Sequence, residues 1–151
     1  LKDSDWYPVR TIEVVKGRLY PQEHPAIRAR GVIQPAEIIR TPAGETVLDF
    51  GQNLTGRIRF RINGPKGSKV TLRHAEILDE SGNFYNRNLA NAKQQVEYTL
   101  KGNGEQWQPI FAYMGFRYVS LDEWIGEIKL EDFEAVLIGS DFEKAGYFSR
   151  Y

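Results

Sequence analysis

The chain has 151 residues, a length that suits a single domain with a short appendage. It contains no cysteine, so disulfides and cysteine-ligated zinc sites are excluded. Its 20 Lys and Arg residues balance 20 Asp and Glu residues, and it has no apolar run of the ~18 residues that a membrane-spanning helix needs. We therefore predict neither a nucleic-acid partner nor a membrane partner.

The first 35 residues are predicted to be irregular. Pro21, Pro25 and Pro35 interrupt them, and proline is excluded from the centre of a sheet because it lacks the N–H that pairing requires. Residues 11–15 are the exception, since they could form a short strand. The segment is typical of a linker, or of a strap that crosses a neighbouring sheet.

Two antiparallel features follow this segment. Residues 37–50 predict a β-hairpin, because β-branched runs flank a Pro-Ala-Gly-Glu turn at 42–45. Residues 51–53 are expected to end that hairpin. Residues 56–63 then alternate between three arginines and three large apolar side chains. This pattern predicts a half-buried strand whose arginine face is solvated and paired with acids across the sheet.

A turn at 64–67 leads into a predicted strand over 69–78, whose apolar side changes near His74. Either a bulge lies there, or His74 and Glu76 both face inward as a hydrogen-bonded polar pair. Two such residues cannot form a catalytic zinc site, which takes three protein ligands. We predict no metal site and no cofactor, and we interpret 79–83 as a hairpin turn because its glycine comes too early for an EF-hand.

The loop at 83–93 is rich in asparagine and also carries aromatic residues. Tyr85, Asn86 and Asn88 are candidates for hydrogen bonding to sugar hydroxyls, or the loop caps a neighbouring domain. A long connection with a short helical turn is the simpler alternative. Residues 94–101 resume a strand, and a Gly-Asn-Gly turn follows it.

We interpret residues 107–121 as the central strand of the domain. A period-two alternation begins at Phe111, and Gly115 then marks either a bulge or a close approach of another part of the chain. After the glycine, Arg117 is predicted to share a face with Val119. A buried guanidinium requires a carboxylate or several carbonyls, so we favour a structural ion pair for Arg117.

The last part of the chain predicts a buried strand over 133–138 and the beginning of another at 147–148. Seven or eight short strands are therefore expected, with turn signals at regular intervals and no convincing long helix. This organisation predicts an all-β fold in the form of an antiparallel β-sandwich.

Several motifs then suggest a family: VLDFGQN (47–53), Gly56, NGPKGSKVTLRHAEIL (63–78), the Asn-rich loop, YTLKGNGEQWQPIFAYMGFRYV (98–119) and GSDFEKAGYFS (139–149). In this order, and above all through the separation of FGQN and GFRYV, they resemble the β-sandwich module that precedes the catalytic domain in bacterial α-L-rhamnosidases. The resemblance covers most of the chain after Ile33. Earlier, DSDWYPV (3–9) looks like the tail of a preceding β-module, and RLYPQEHPAIR (18–28) looks like the usual connector.

The resemblance implies a concanavalin-like, jelly-roll type sandwich over residues 36–142. It also implies that residues 1–35 hold the tail of a preceding module and a Pro-rich linker strap, and that residues 143–151 begin the connection to a catalytic domain outside this chain. We expect a fragment of a multi-domain glycoside hydrolase that releases terminal L-rhamnose with inversion on an (α/α)-barrel after Tyr151. We assign no catalytic residue to this chain. The compartment stays open between the bacterial cytoplasm and secretion or the periplasm.

Two functions of different classes follow. The first is an accessory structural module that packs against the catalytic domain of the same parent chain. The second is a carbohydrate-binding module for L-rhamnose-containing oligosaccharides, in which aromatic side chains stack on sugar rings and polar side chains bind hydroxyls. Its candidate contacts are Tyr85, Asn86, Asn88, Trp107 and Arg117, with Trp124 as a further stacking candidate. Catalysis by this chain alone is disfavoured, because the sequence offers no convergent acid, base or metal constellation.

Overall fold

The computed structural model describes residues 4, 6–14 and 16–149. Their strands are β1 (Ile27–Ile33), β2 (Glu37–Arg40), β3 (Thr46–Ile62), β4 (Lys69–Ala75), β5 (Ile77–Leu78), β6 (Phe84–Tyr85), β7 (Gln95–Thr99), β8 (Glu105–Trp107), β9 (Met114–Asp122) and β10 (Phe133–Ser140). Short 3-10 turns lie at Arg87–Leu89 and Leu130–Asp132. All strand pairs are antiparallel, which confirms the predicted antiparallel all-β fold. Among the described residues, the structure contains no helical segment with the length and apolar character of a membrane span.

Strand β3 is the longest strand, and four other strands pair with it. Its first part pairs with β2 and β9, and its later part pairs with β8, β9 and β10. The main sheet runs β1-β10-β3-β9-β4-β7, with β2 and β8 attached to β3, and β5 and β6 form a separate hairpin. The predicted alternation over 56–63 is confirmed, because Ile58 and Phe60 are buried while Arg59 bonds to Glu134 across the sheet (Nε to Oε2, 2.6 Å).

The hairpin over 37–50 is confirmed, but residues 51–53 do not end it. β2 pairs with the first part of β3 across a turn in which the Gly44 N–H donates to the Thr41 carbonyl at 2.8 Å. Gly51 has a φ of +74°, which glycine adopts without steric cost, and its N–H donates to Asp49 Oδ1 at 2.6 Å. The chain therefore bends at Gly51 and continues as the same strand.

This bend changes the faces that the β9 side chains occupy. Asp49 pairs with Tyr118 and Leu54 pairs with Phe116, so the β3 residues between Asp49 and Leu54 lie opposite Arg117 alone. An extra stretch of this kind is a β-bulge, and it breaks the two-residue alternation. Phe116 consequently belongs to the main core, whereas Tyr118 packs in a smaller cluster with Val47.

Gly115 is a close approach and not a bulge. It pairs regularly with Thr55 of β3. A Cβ atom at Gly115 would lie 3.3 Å from Glu76 Oε1, closer than ordinary van der Waals contact. A larger residue at this position would therefore have to displace the Glu76 carboxylate.

Residues 108–113, which we name the apolar loop, are not part of the predicted central strand. β8 ends opposite Phe60 and β9 begins opposite Gly56, so six loop residues span only three residues of β3. The surplus residues cannot pair and loop outward, and Pro109 could not have donated to the ladder. Phe111 is 100% exposed as a result.

The segments before and after the sheet also differ from the predictions. Residues 27–33, which were expected to be irregular, form β1, because the stretch between Pro25 and Pro35 is free of proline and pairs at the edge of the sheet with β10. Residues 11–14 are not in a strand, and Val15 lies outside the described residues. Residues 147–148 are not in a strand either.

The core divides between the two faces of the main sheet. The larger cluster consists of Leu48, Phe50, Ile58, Phe60, Ile62, Val70, Leu72, Leu100, Phe116, Val119, Leu121, Phe133 and Ala135. The smaller cluster contains Val47, Ala75 and Phe84. The β5–β6 hairpin covers this smaller cluster, and the β2–β3 turn holds it there, since Phe84 N–H donates to Glu45 Oε2 at 2.9 Å.

Phe116→Ala should destabilise the domain by roughly 3–5 kcal/mol, because a fully buried phenylalanine is replaced by a cavity. Urea unfolding at neutral pH measures the change. Phe111→Ala is the matched control, since its ring is fully exposed, and it should stay within about 0.5 kcal/mol of the parent sequence. Equal losses in the two variants would contradict the assignment of Phe116 to the core.

Candidate functional site

Arg117 and Asp49 form a bidentate ion pair across the bulge. Arg117 Nε and Nη2 donate to the two carboxylate oxygens of Asp49 at 2.8 and 2.7 Å. Asp49 is only 4% exposed, so its charge requires this partner. The hydrogen bond from Arg117 holds the pKa of Asp49 below its ordinary value, and the same bond raises the pKa of Arg117. The predicted structural ion pair is confirmed.

The expected orientation of Arg117 is wrong, however. Its guanidinium lies on Asp49 and 4.9 Å from the ring centre of Tyr118, and neither residue belongs to the core cluster that contains Val119. The bulge is the cause, because it removes the alternation on which the expectation rested. The donors that Arg117 directs at Asp49 are not available to a sugar, and a sugar contact through its remaining N–H groups stays a prediction.

His74 faces inward and is almost fully buried. Its backbone N–H donates to the Gln94 carbonyl at 2.9 Å, and its Nδ1 lies 3.0 Å from the same oxygen. The imidazole packs edge-on against the Phe116 ring at 4.9 Å. Burial lowers the pKa of His74 to about 4, so the ring is neutral at neutral pH.

The inward orientation predicted for His74 is confirmed, but the predicted hydrogen-bonded pair of His74 with Glu76 is not formed. The strand breaks at Glu76, whose Oε1 accepts a bond from Asn53 Nδ2 at 3.3 Å. His74 instead anchors the C-terminal end of the Asn-rich loop, since Gln94 has a positive φ of 43° and is held by both His74 bonds.

The Asn-rich loop contains the short helical turn that was the simpler alternative for it. Tyr85 and Asn86 are half-buried, and both line a depression of about 340 Å³ beside Arg73 and Arg87. Asn88 is exposed on the 3-10 turn. The structure therefore brings Tyr85 and Asn86 together, with Asn88 on the same loop.

Trp107 belongs to an aromatic cluster in the core. Its indole stacks on Tyr98 at 4.5 Å and lies 5.8 Å from the Phe60 ring. The Tyr98 hydroxyl donates to Glu105, which raises the pKa of Tyr98 to about 12. One face of Trp107 is thus covered, and neither Trp107 nor Arg117 lines the depression that Tyr85 and Asn86 share.

Trp124 is packed in the same aromatic cluster. Its ring lies 5.6 Å from Phe60 and 4.8 Å from Phe133. Its Nε1 is buried without a hydrogen-bond partner, which is consistent with a core position. Trp107 and Trp124 were predicted to be available for stacking on a sugar. A sequence rich in aromatic residues does not show which faces of their rings other side chains cover.

The acidic residues of the described ranges form no cluster that could bind a metal ion. In the described ranges, no group of three or more His, Cys, Asp or Glu side chains could hold a metal ion. Burial acts to raise the pKa of Asp122, but hydrogen bonds from Arg73 and Ser120 outweigh it and leave that pKa lowered. A general acid requires the opposite shift.

The sequence is similar to those of known α-L-rhamnosidases. A family model described as the bacterial α-L-rhamnosidase concanavalin-like domain matches residues 39–139. An α-L-rhamnosidase of Streptomyces avermitilis is 36% identical over 127 residues, which make up 83% of this chain and 12% of that protein. An α-L-rhamnosidase of Formosa agariphila is 29% identical over an alignment of 157 positions, which covers 97% of this chain and 16% of that protein.

Solved structures resemble the fold as well. The native α-L-rhamnosidase of Aspergillus terreus matches 83% of this chain and 15% of its own length, with a TM-score of 0.78 and 38% identity. The Streptomyces avermitilis α-L-rhamnosidase in complex with L-rhamnose matches 78% of this chain and 12% of its own, with a TM-score of 0.74 and 33% identity. The chain thus spans 12–16% of the length of these relatives.

Arg117→Ala should lower the free energy of unfolding, because it leaves the buried Asp49 carboxylate unpaired. The folded-state pKa of Asp49 is lower than 3.8, so the pair stabilises the fold above about pH 3.8 and loses this effect as pH falls through the lowered pKa. Denaturant midpoints should therefore differ between the two proteins at pH 7 and converge in acid. Arg61→Ala, at an exposed arginine on β3, is the control and should match the parent sequence at both pH values.

His74 should make the domain less stable in mild acid. Because its pKa is 6.5 when unfolded and about 4 when folded, the unfolded chain binds the extra proton between these values, and stability rises with pH across this window. The difference corresponds to roughly 3 kcal/mol when the window is crossed completely. Thermal unfolding at pH 7 and pH 5 measures it, with the exposed His24→Gln as the control variant. A ring that NMR shows titrating near pH 6.5 in the folded chain would contradict this prediction.

Proposed function

The chain belongs to the concanavalin-like domain family of bacterial α-L-rhamnosidases, as its motifs indicated, and we propose that it is a non-catalytic accessory module of such a glycoside hydrolase. In this role it packs against the catalytic domain of its parent chain and supports it. The relatives are several times longer than this chain, so they contain the further domains that such a role requires. The two carboxyl groups that an inverting glycosidase needs, ~6.5–9.5 Å apart, would belong to that catalytic domain.

The observation that carries the proposal is the apolar loop. Ile110 is 74% exposed, Phe111 is 100% exposed, and Tyr113 is more than half exposed. The loop is held in place at its centre, because Arg57 Nη1 donates to the Ile110 carbonyl at 2.7 Å. Large apolar side chains on a fixed protruding loop are typical of residues that fill a pocket on a partner.

One exposed apolar side chain, Val32, lies on the sheet face beside this loop. Val32 of β1 pairs with Val136 of β10, which pairs with Arg57 of β3, so these three side chains share one face across three strands. Ala135 belongs to the core cluster, and the neighbouring Val136 therefore faces the opposite way. We name this surface, together with the apolar loop, the docking face. Val32 is about half exposed and adds to the apolar loop, whereas Val136 is almost fully buried.

The segment that leads into β1 and the segment that leaves β10 lie together at the edge of this face. The Asp141 N–H donates to the Ala26 carbonyl at 3.0 Å, and the Asp141 carboxylate pairs with Arg28 (3.3 Å) and with Arg30. The segment that leaves β10 then carries exposed aromatic side chains, including Phe142. This arrangement supports the catalytic domain of the proposed parent protein as the partner of the docking face.

Carbohydrate binding is the second candidate function. It is supported by the depression that Tyr85 and Asn86 share, and by the presence of L-rhamnose in the complex of the Streptomyces avermitilis relative. In this reading the module recognises rhamnose-containing glycans through the Asn-rich loop. Because Trp107 is stacked on Tyr98 and Arg117 is paired with Asp49, we favour sugar contacts on that loop.

The docking role is tested with Phe111→Ser in the parent protein and in the isolated chain. The parent should lose about 2 kcal/mol of stability through the lost interdomain contact, whereas the isolated chain should change by less than about 0.5 kcal/mol. Differential scanning calorimetry measures both, and Ile77→Ser, on the separate hairpin, is the control. If Phe111→Ser leaves the stability of the parent protein unchanged, the docking face is not an interdomain contact.

A further inference from the structure

The β5–β6 hairpin and the Asn-rich loop line a groove made of three neighbouring depressions that share lining residues. Its three depressions have volumes of about 480, 340 and 410 Å³, within the range of small-ligand sites. Tyr85 lines the first and second depressions, and Asn86 and Arg87 line the second and third. Lys93 lines the third. We name this surface the hairpin groove.

The charges of the hairpin groove are unevenly neutralised. Asp79 is occupied within its own turn, where Oδ1 accepts bonds from Ser81 N–H at 2.9 Å and Asn83 N–H at 2.8 Å. By contrast, Arg87 and Lys93 form no ion pair among the residues that the structure describes. One end of the groove therefore presents two cations without an ion-pair partner in the described part of the chain, while Asp79 and Glu80 line the other end.

Arg73 forms part of the floor and is not available for a ligand. It pairs with Asp122 through Nε at 2.5 Å and Nη2 at 3.2 Å, and its guanidinium lies 4.9 Å from the Phe84 ring centre. It thereby holds the hairpin against the sheet. Because His74 fixes the far end of the loop through Gln94, the walls of the groove are anchored on both sides.

We propose that the hairpin groove binds an oligosaccharide that carries a carboxylate, with a sugar ring against Tyr85 and a uronate group at Arg87 and Lys93. The chemistry of each group fits its role. An aromatic side chain packs on the apolar face of a pyranose ring, the Asn86 amide can donate to and accept from hydroxyls, and a guanidinium binds a carboxylate through two parallel N–H bonds. This inference deepens the carbohydrate-binding candidate and rests on it, but it is independent of the docking face.

The test compares digalacturonate with its dimethyl ester, which has the same rings without the negative charges. Binding to the chain is followed by NMR chemical-shift changes at low ionic strength, where exposed charge pairs are least screened. The acid should bind about fivefold more tightly than the ester, as expected for two exposed ion pairs. The largest shifts should be at residues 85–93, and added salt should remove the difference between the ligands.

Variants identify the groups responsible. Arg87→Gln combined with Lys93→Gln should make the acid bind no better than the ester, while Lys69→Gln, at an exposed position on β4, should keep the preference. Tyr85→Ala should lower the affinity for both the acid and the ester. Thermal unfolding confirms that each variant is folded.

Three outcomes would overturn the inference. Equal binding of acid and ester by the unsubstituted chain would show that Arg87 and Lys93 do not bind a carboxylate. Binding of a neutral rhamnobiose alone would support carbohydrate binding but exclude an acidic ligand. Absence of binding by every saccharide would remove both. None of these results bears on the docking face, which the Phe111→Ser comparison tests.

Discussion

The sheet depends on β3, which bends at Gly51 and then resumes pairing with β9 on the far side of the bulge. That bulge places Asp49 in a buried position, and Arg117 is the group that neutralises it. The same bend moves Phe116 into the core, where it supports the imidazole of His74. The backbone irregularity, the ion pair and the buried histidine are thus linked parts of one arrangement at the middle of the sheet.

The sequence predicted the features that follow from local periodicity. Alternation located the buried and exposed sides of residues 56–63, and turn chemistry located the hairpin at 37–50. The predictions from sequence were wrong where strands distant in sequence determine the pairing. The apolar loop extends outward because β8 and β9 both pair with β3, and the bulge lies opposite Arg117 because β3 bends. Such constraints come from long-range register, which a single sequence does not display.

The candidate site was predictable only in part, for a related reason. Tyr85 and Asn86 are close in sequence, and they line the same depression. Trp107 and Arg117 have the right chemistry for sugar binding, yet one is stacked on Tyr98 and the other is paired with a buried carboxylate. Whether an aromatic or a cationic side chain is free for a ligand depends on what already covers it, and this depends on tertiary packing.

We propose two roles for two separate surfaces: the docking face contacts a neighbouring domain, and the hairpin groove binds an oligosaccharide. Amide hydrogen exchange, measured for this chain alone and inside its parent protein, tests the docking role most directly. We expect slower exchange in the parent protein at the apolar loop and along β1, with no change at residues 86–93. Equal exchange of the apolar loop and β1 in the two proteins would contradict it.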